Sequence, residues 1–141
     1  MLTIRKGDLR TIIDHCIAGL PNEACGILAG QDKRVERVYP MRNAKAGPAS
    51  YEMDAEEQFR VMKDIRQKGL AMIGIFHSHP SGRAYPSGID VEKAYWPGTE
   101  LPNYPDVVYV IVSLMDRADP VVKGFWIKDE AVREVPLTVL S

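Results

Sequence analysis

The sequence predicts an α/β fold of one domain, residues 1–141, in which a single mixed sheet carries helices against it. Three observations predict it. Two stretches space their apolar residues at threes and fours, as one buried helix face requires, and they lie between short strand-like runs. The run Leu70 to Phe76 is apolar without alternation, which suits a strand buried on both faces. Val107 to Leu114 is rich in β-branched residues, the mark of a second central strand. A chain of 141 residues is also the size of one ordinary domain and buries a core large enough to need no staples.

In order along the chain, Leu2-Thr3-Ile4 alternates weakly and reads as a short strand. Leu9, Ile12, Ile13, Cys16, Ile17 and Leu20 form the stripe of a first helix, with Asp8 as its expected N-cap and Gly19 and Pro21 as its stop. His15 falls off that stripe and reads as a surface residue. Glu23 to Gly30 is a short apolar run, broken by Gln31-Asp32-Lys33 and resumed by Val35 to Tyr39, which predicts a hairpin. A loop follows from Arg42 to Ser50, and Tyr51-Glu52-Met53 adds a brief strand. Asp54, with Glu57 three residues on, predicts a capping box at the start of a second helix whose buried stripe is Phe59, Met62 and Ile65 and whose end is Gly69. After the central strand, Ile89 to Trp96 predicts a short third helix stopped by Pro97-Gly98, and Thr99 to Asp106 an ordered loop. Val121 to Ile127 and Val132 to Leu140 are expected as two last strands, after turns at Asp119-Pro120 and Asp129-Glu130.

Composition narrows the function classes. A net charge of -1 gives no footprint for nucleic acid. No apolar run approaches membrane-spanning length, and the first residues lack the apolar core of a signal peptide, so a cytoplasmic location is expected. Two cysteines, Cys16 and Cys25, make no disulfide framework and read as small core residues.

The chemistry concentrates after the strand Leu70 to Phe76. His77 and His79 are two residues apart, so a strand projects both from one face while Ser78 points the other way and Pro80 ends the ladder. Catalytic zinc takes three protein ligands of nitrogen or oxygen type and keeps a water in its fourth position, and Asp90 is the natural third ligand if the loop through Gly82 and Pro86 folds back. A hydrolase also needs a carboxylate able to take a proton from that water and hand it to the leaving amine. A plainer reading stands beside this one. Ser87-Gly88-Ile89-Asp90 fits a helix capping box, so Ser87 and Asp90 alone mean only a helix start, and a bare H-x-H is a weak signal. What separates the readings is conjunction, since both histidines, the serine and the aspartate fall within fourteen residues.

The run His77-Ser78-His79-Pro80, continuing through Pro86 to Ser87 and Asp90, resembles the H-[ST]-H-P…S-x-x-D signature of the JAMM (MPN-plus) zinc metallopeptidases. Upstream, Glu23-Ala24-Cys25-Gly26-Ile27-Leu28-Ala29-Gly30 is similar to the segment that carries that family's catalytic glutamate. The resemblance runs from the first helix to the strand Val107 to Leu114 and implies a JAB/MPN fold. It implies His77, His79 and Asp90 as ligands of one zinc ion per chain, Glu23 as the general acid/base, and Ser87 as a donor to the oxyanion of the tetrahedral intermediate.

The family cleaves amide or isopeptide bonds after the tails of ubiquitin or ubiquitin-like proteins, and the short chain resembles its compact prokaryotic branch, some members of which act on sulfur-carrier proteins. The implied substrate is such a tail, added as an extended strand beside the site. Its groove is expected between Ala46 to Met53 on one side and Tyr85 with Trp96 to Tyr104 on the other, with Met53, Tyr85 and Trp96 as contacts. Two other readings are a zinc-binding interaction domain of the same fold that turns nothing over, and kinship with RadC-type proteins linked to DNA repair, whose loop is similar at His79-Pro80-Ser81-Gly82 and Pro86-Ser87. The sequence leaves the oligomeric state open.

Overall fold

The computed structural model describes residues 1–141. β1 (Leu2–Arg5) leads into α1 (Lys6–Ala18), then the hairpin β2 (Cys25–Gln31) and β3 (Arg34–Met41). Asp32 and Lys33 both have positive φ (51° and 59°), the backbone of a two-residue turn that matches strand twist. α2 (Ala55–Gln67), β4 (Ala71–His79), α3 (Gly88–Lys93), β5 (Val108–Ser113), β6 (Val121–Lys128), β7 (Ala131–Val135) and β8 (Leu137–Leu140) complete the chain.

All eight strands join one mixed sheet in the order β7-β6-β5-β4-β2-β3-β1-β8. The pairs β4–β5, β1–β3 and β1–β8 are parallel and the others antiparallel. The expected last strand, Val132 to Leu140, is in fact two, because Pro136 has no N–H to give a ladder. Those two strands lie at opposite ends of the sheet order, yet one residue separates them. Val135 and Leu137 are therefore at most about 7 Å apart, so the sheet rolls until its two edges meet.

The two faces of the rolled sheet hold different helices. α1 packs on the face of Leu28, Phe76, Val108, Val110 and Val112. α2 and α3 cover the opposite face, where Ile65 joins Cys25 and Ile27, and Ala94 joins Ile75 and Tyr109. Strand alternation places His77 and His79 on the α2/α3 face and Ser78 on the α1 face.

Several local expectations change. α1 starts at Lys6 with Arg5 in the cap position, so Asp8 lies in the first turn, where it pairs with Arg5 at 3.0 Å. His15 is half-buried: its Nε2 lies 3.1 Å from the carbonyls of Cys25 and Met41, and its ring meets Phe76 edge-on. A helix held in the hollow of a rolled sheet touches strands on more than one side, here β1, β3, β4 and β8, so distance from the apolar stripe does not mean exposure. Phe59 is 72% exposed, and the buried face of α2 is set by Val61, Met62 and Ile65. Asp54 caps α2 by accepting from Glu57 N–H, but the Glu57 carboxylate takes Arg42 N–H instead of closing the box. Of the brief strand at Tyr51 to Met53, only a bridge between Met53 and Asn43 forms. No helix is long and apolar enough to cross a membrane.

Candidate active site

The site lies at the C-terminal end of β4, where this central strand leaves the sheet between β2 and β5. Gly82 passes against the His79 side chain, where an added Cβ would sit 3.6 Å from His79 Cβ and 3.7 Å from ring Nδ1, and Ser113 Oγ donates to the Gly82 carbonyl at 2.6 Å. The loop therefore turns back tightly and delivers α3 over the strand end. Ser87 and Asp90 do form a capping box: Asp90 N–H donates to Ser87 Oγ (3.1 Å) and Ser87 N–H to Asp90 Oδ2 (2.9 Å). The capping box does not exclude the chemical reading, because the same Oδ2 lies 3.1 Å from His77 Nε2 and 3.0 Å from His79 Nε2. The cap orients the carboxylate toward the histidines.

His77 Nε2 and His79 Nε2 are themselves 3.1 Å apart, so three ligand atoms form a nearly equilateral triangle in a buried site. His79 Nδ1 lies 2.8 Å from the Arg83 carbonyl, and donating there leaves Nε2 a bare acceptor when the ring is neutral. An acceptor nitrogen then faces an acceptor carboxylate oxygen. A shared cation resolves the conflict, and the spacing suits zinc, whose tetrahedral ligands sit about 2.0–2.2 Å from the ion and hence about 3.3 Å from one another. Burial pushes the His77 pKa down, which favours the neutral ring a metal ligand must be. Burial opposes the charged form of His79 too, but Asp90 and the Arg83 carbonyl outweigh it and raise its pKa. Burial pushes the Asp90 pKa up, but in the absence of a metal its contacts with both histidines, donating when protonated, and the bond from Ser87 N–H hold it well below the carboxylate range.

The fourth component comes from the neighbouring strand. β2 runs antiparallel to β4 with Cys25 opposite His77. The ladder ends at that pair, but Ala24, the residue before Cys25, stays beside Ser78, with Glu23 next in the chain. Two bonds fix it, Ser78 N–H to the Ala24 carbonyl (3.0 Å) and Ala24 N–H to Ser78 Oγ (2.9 Å). The serine between the histidines thus faces away from the cluster and secures the backbone beside Glu23. Glu23 is only 4% exposed, and its Oε1 is buried with no hydrogen-bond partner. Burial, then the nearby Asp90 charge, pushes its pKa up to about 7, against the opposing pull of His79 and Lys93. A carboxyl poised there exchanges a proton readily near neutrality. Ser87 Oγ, occupied as an acceptor by Asp90 N–H, keeps its own proton free to donate.

A model of a family described as prokaryotic homologs of the JAB domain matches residues 6–128. The chain belongs to this family. The CysO-cysteine peptidase of Mycobacterium tuberculosis is 37% identical over 143 residues, spanning 100% of this chain and 92% of that protein. The desampylase of Pyrococcus furiosus is 41% identical over 97 residues, 68% of this chain and 69% of that protein. A solution structure of a protein from Desulfitobacterium hafniense superposes with a TM-score of 0.85 at 38% identity, covering 99% of this chain and 92% of that one.

Around this JAB-type centre the structure adds residues for which the sequence carried no signal. The Tyr51 ring stacks on His77 with centroids 4.7 Å apart. Asn43 Nδ2 donates to the carbonyls of Glu23 (2.9 Å) and Ser50 (3.2 Å), while its Oδ1 accepts from Lys45 and Glu52 N–H. One amide side chain thus ties the whole 42–53 loop to the base; in the sequence Asn43 marked only a turn. The expected groove is divided. Met53 and Trp96 line two clefts, of about 420 and 690 Å³, that share Lys45 and Lys93. Tyr85 lies in a third cleft with Met115 and Val121, its ring packed edge-on to Phe125.

Proposed function

We propose that this chain is a zinc-dependent peptidase that hydrolyses the amide bond after the C-terminal tail of a sulfur-carrier or ubiquitin-like protein, with one zinc per chain held by His77, His79 and Asp90. The observation that carries the proposal is Glu23, a buried carboxyl with a partnerless oxygen, within electrostatic reach of His79 and Asp90 in a closed triangle of candidate ligand atoms. A buried unpartnered carboxylate is destabilising, and its retention beside three ligands supports catalysis over a purely structural metal. Bound zinc would supply a water of pKa roughly 7 and polarise the scissile carbonyl.

The chain's own groups do the rest. Glu23 takes the proton of the attacking water and delivers it to the departing amine. Ser87 donates its free hydroxyl proton to the oxygen on which negative charge develops. Met53 and Trp96 flank the approach to the site, and an extended tail laid along it places a thin segment such as Gly-Gly at the strand end. Tyr85 then meets the body of the carrier and not its tail. The relatives with peptidase and desampylase names support this substrate class. Two buried free cysteines suit a reducing cytoplasm.

The experiment is hydrolysis of a small ubiquitin-like protein ending in Gly-Gly and extended by one residue. The purified chain with one equivalent of zinc cleaves after Gly-Gly, and a chelator stops it. Undiminished cleavage under chelation, or after both His77→Ala and His79→Ala, overturns the metal assignment. Deleting 99–103 without loss of cleavage removes that loop from the groove.

A further inference from the structure

We infer that Lys93 sets specificity for the leaving group, its ammonium receiving the free α-carboxylate of a single amino acid attached after the scissile bond; this rests on the peptidase reading above. Lys93 is three residues beyond Asp90 on α3, so the two side chains rise from one face of the helix with Cβ atoms about 5–6 Å apart. Its Nζ donates to the Tyr51 carbonyl at 2.5 Å and lies 5.4 Å from the centre of the Tyr51 ring, the same ring that stacks on His77. The ammonium is thereby held at the rim of the site, one side chain away from a ligand. Of its three donors, one is used.

Two features suit it to an incoming carboxylate. Lys93 and Lys45 line both of two clefts, one walled by Tyr51, whose ring stacks on His77, and neither lysine is in an ion pair, unlike Arg5, Arg42, Arg60 and Lys68. Their own neighbours do not neutralise them. The carboxylates in those clefts, Glu52 and Glu92, each line only one, so the junction where the clefts meet is where a negative group is best received. The Lys93 charge also acts on Glu23 and His77, which puts it within electrostatic reach of the reacting bond. A leaving group consisting of one amino acid carries its α-carboxylate a single residue from the scissile nitrogen. A lysine inside a protein, released from an isopeptide bond, carries none, so the same chain discriminates between the two classes of conjugate.

The test uses the zinc-loaded full chain and one ubiquitin-like protein ending in Gly-Gly-Cys, prepared as the free acid and as the α-carboxamide. Wild type is expected to favour the acid by about tenfold in kcat/KM, the scale of a charge-assisted hydrogen bond at a partly solvated site. In Lys93→Met that ratio falls to about twofold or less, and Lys93→Arg restores most of it. Equal rates on acid and amide in wild type overturn the inference. So does a Lys93→Met chain that slows on both substrates by one factor, since Lys93 then only steadies Tyr51. Failure of wild type to cut either conjugate overturns the peptidase reading itself, and this inference with it.

Discussion

The two halves of the site are built on opposite principles. In the ligand half, His77, His79, Ser87 and Asp90 come from fourteen consecutive residues, and their polar atoms bond mainly to one another, with His77 Nδ1 alone buried without a partner. In the base half, Glu23 arrives from another strand, is fixed through backbone by Ser78 and Asn43, and keeps one carboxylate oxygen unbonded. The ligand half needs only a strand, a tight loop and a helix start to assemble, while the base half needs the sheet register and the 42–53 loop. On the proposed reading, the difference predicts that metal binding and proton transfer are separable here by mutation.

The largest effect expected is from the ligand half. His77→Ala or Asp90→Ala abolishes zinc binding and lowers hydrolysis to background, measured as metal content and rate on the same sample. Loss of rate with metal retained would mean the two halves are not separable.

Next comes Glu23→Gln, which keeps zinc and loses about 10²–10⁴-fold in rate. Its metal-free form gives a second readout. The Glu23 pKa is raised in the fold to about 7, above its ordinary 4.5, so the folded state holds the proton longer than the unfolded one. Its contribution is therefore fully present below pH 4.5 and is lost as pH rises through about 7. Metal-free Glu23→Gln is expected to be more stable than metal-free wild type at pH 8, by on the order of 2 kcal/mol, and no more stable at pH 4, as denaturant unfolding at the two pH values reads.

Ser87→Ala touches both halves and sharpens the comparison. Losing the oxyanion donor costs about 10²–10³-fold in kcat, and losing the cap costs about 1 kcal/mol of stability. Ser87→Asp, which keeps a capping acceptor but has no hydroxyl donor, regains the stability and not the rate.

The smallest effect on rate is expected from Asn43→Ala, about tenfold. Its bonds hold Glu23 in place through backbone, and the carbonyls of Glu23 and Ser50 lose their donor at a cost of about 1–3 kcal/mol. Unchanged zinc affinity in that variant would confirm that the ligand half stands alone.

The same contrast explains what the residues alone revealed. The ligand half was legible because strand alternation and helix capping are local rules, and His77, His79, Ser87 and Asp90 obey both within one short segment. Glu23 was reached only by resemblance, since the register of β2 on β4 is a tertiary fact. Asn43 and Tyr51 were missed for a similar reason: each sits in a loop and acts through one backbone or ring contact that no spacing encodes. In the fold, element order was readable from periodicity, but curvature was not. Val132 to Leu140 has strand composition throughout, and only the sheet order shows that Pro136 divides it between two edges. His15 and Phe59 are the local consequences of helix environments that one apolar stripe does not describe: α1 is held in a hollow, and α2 lies on an outer face.

The seam at Pro136 also sets the order in which the chain can become whole. β8, the last strand, finds its only partner in β1, the first, with Leu2 opposite Leu137 and Arg5 opposite Leu140. Closing that pair spans almost the entire chain, the kind of non-local contact whose entropy must be spent late and which slows folding. During synthesis β1 has at most its single bridge to β3 until β8 emerges. The ring is therefore closed by its two ends, like a belt, and the His77–His79–Asp90 cluster in its middle can take shape before the buckle is fastened.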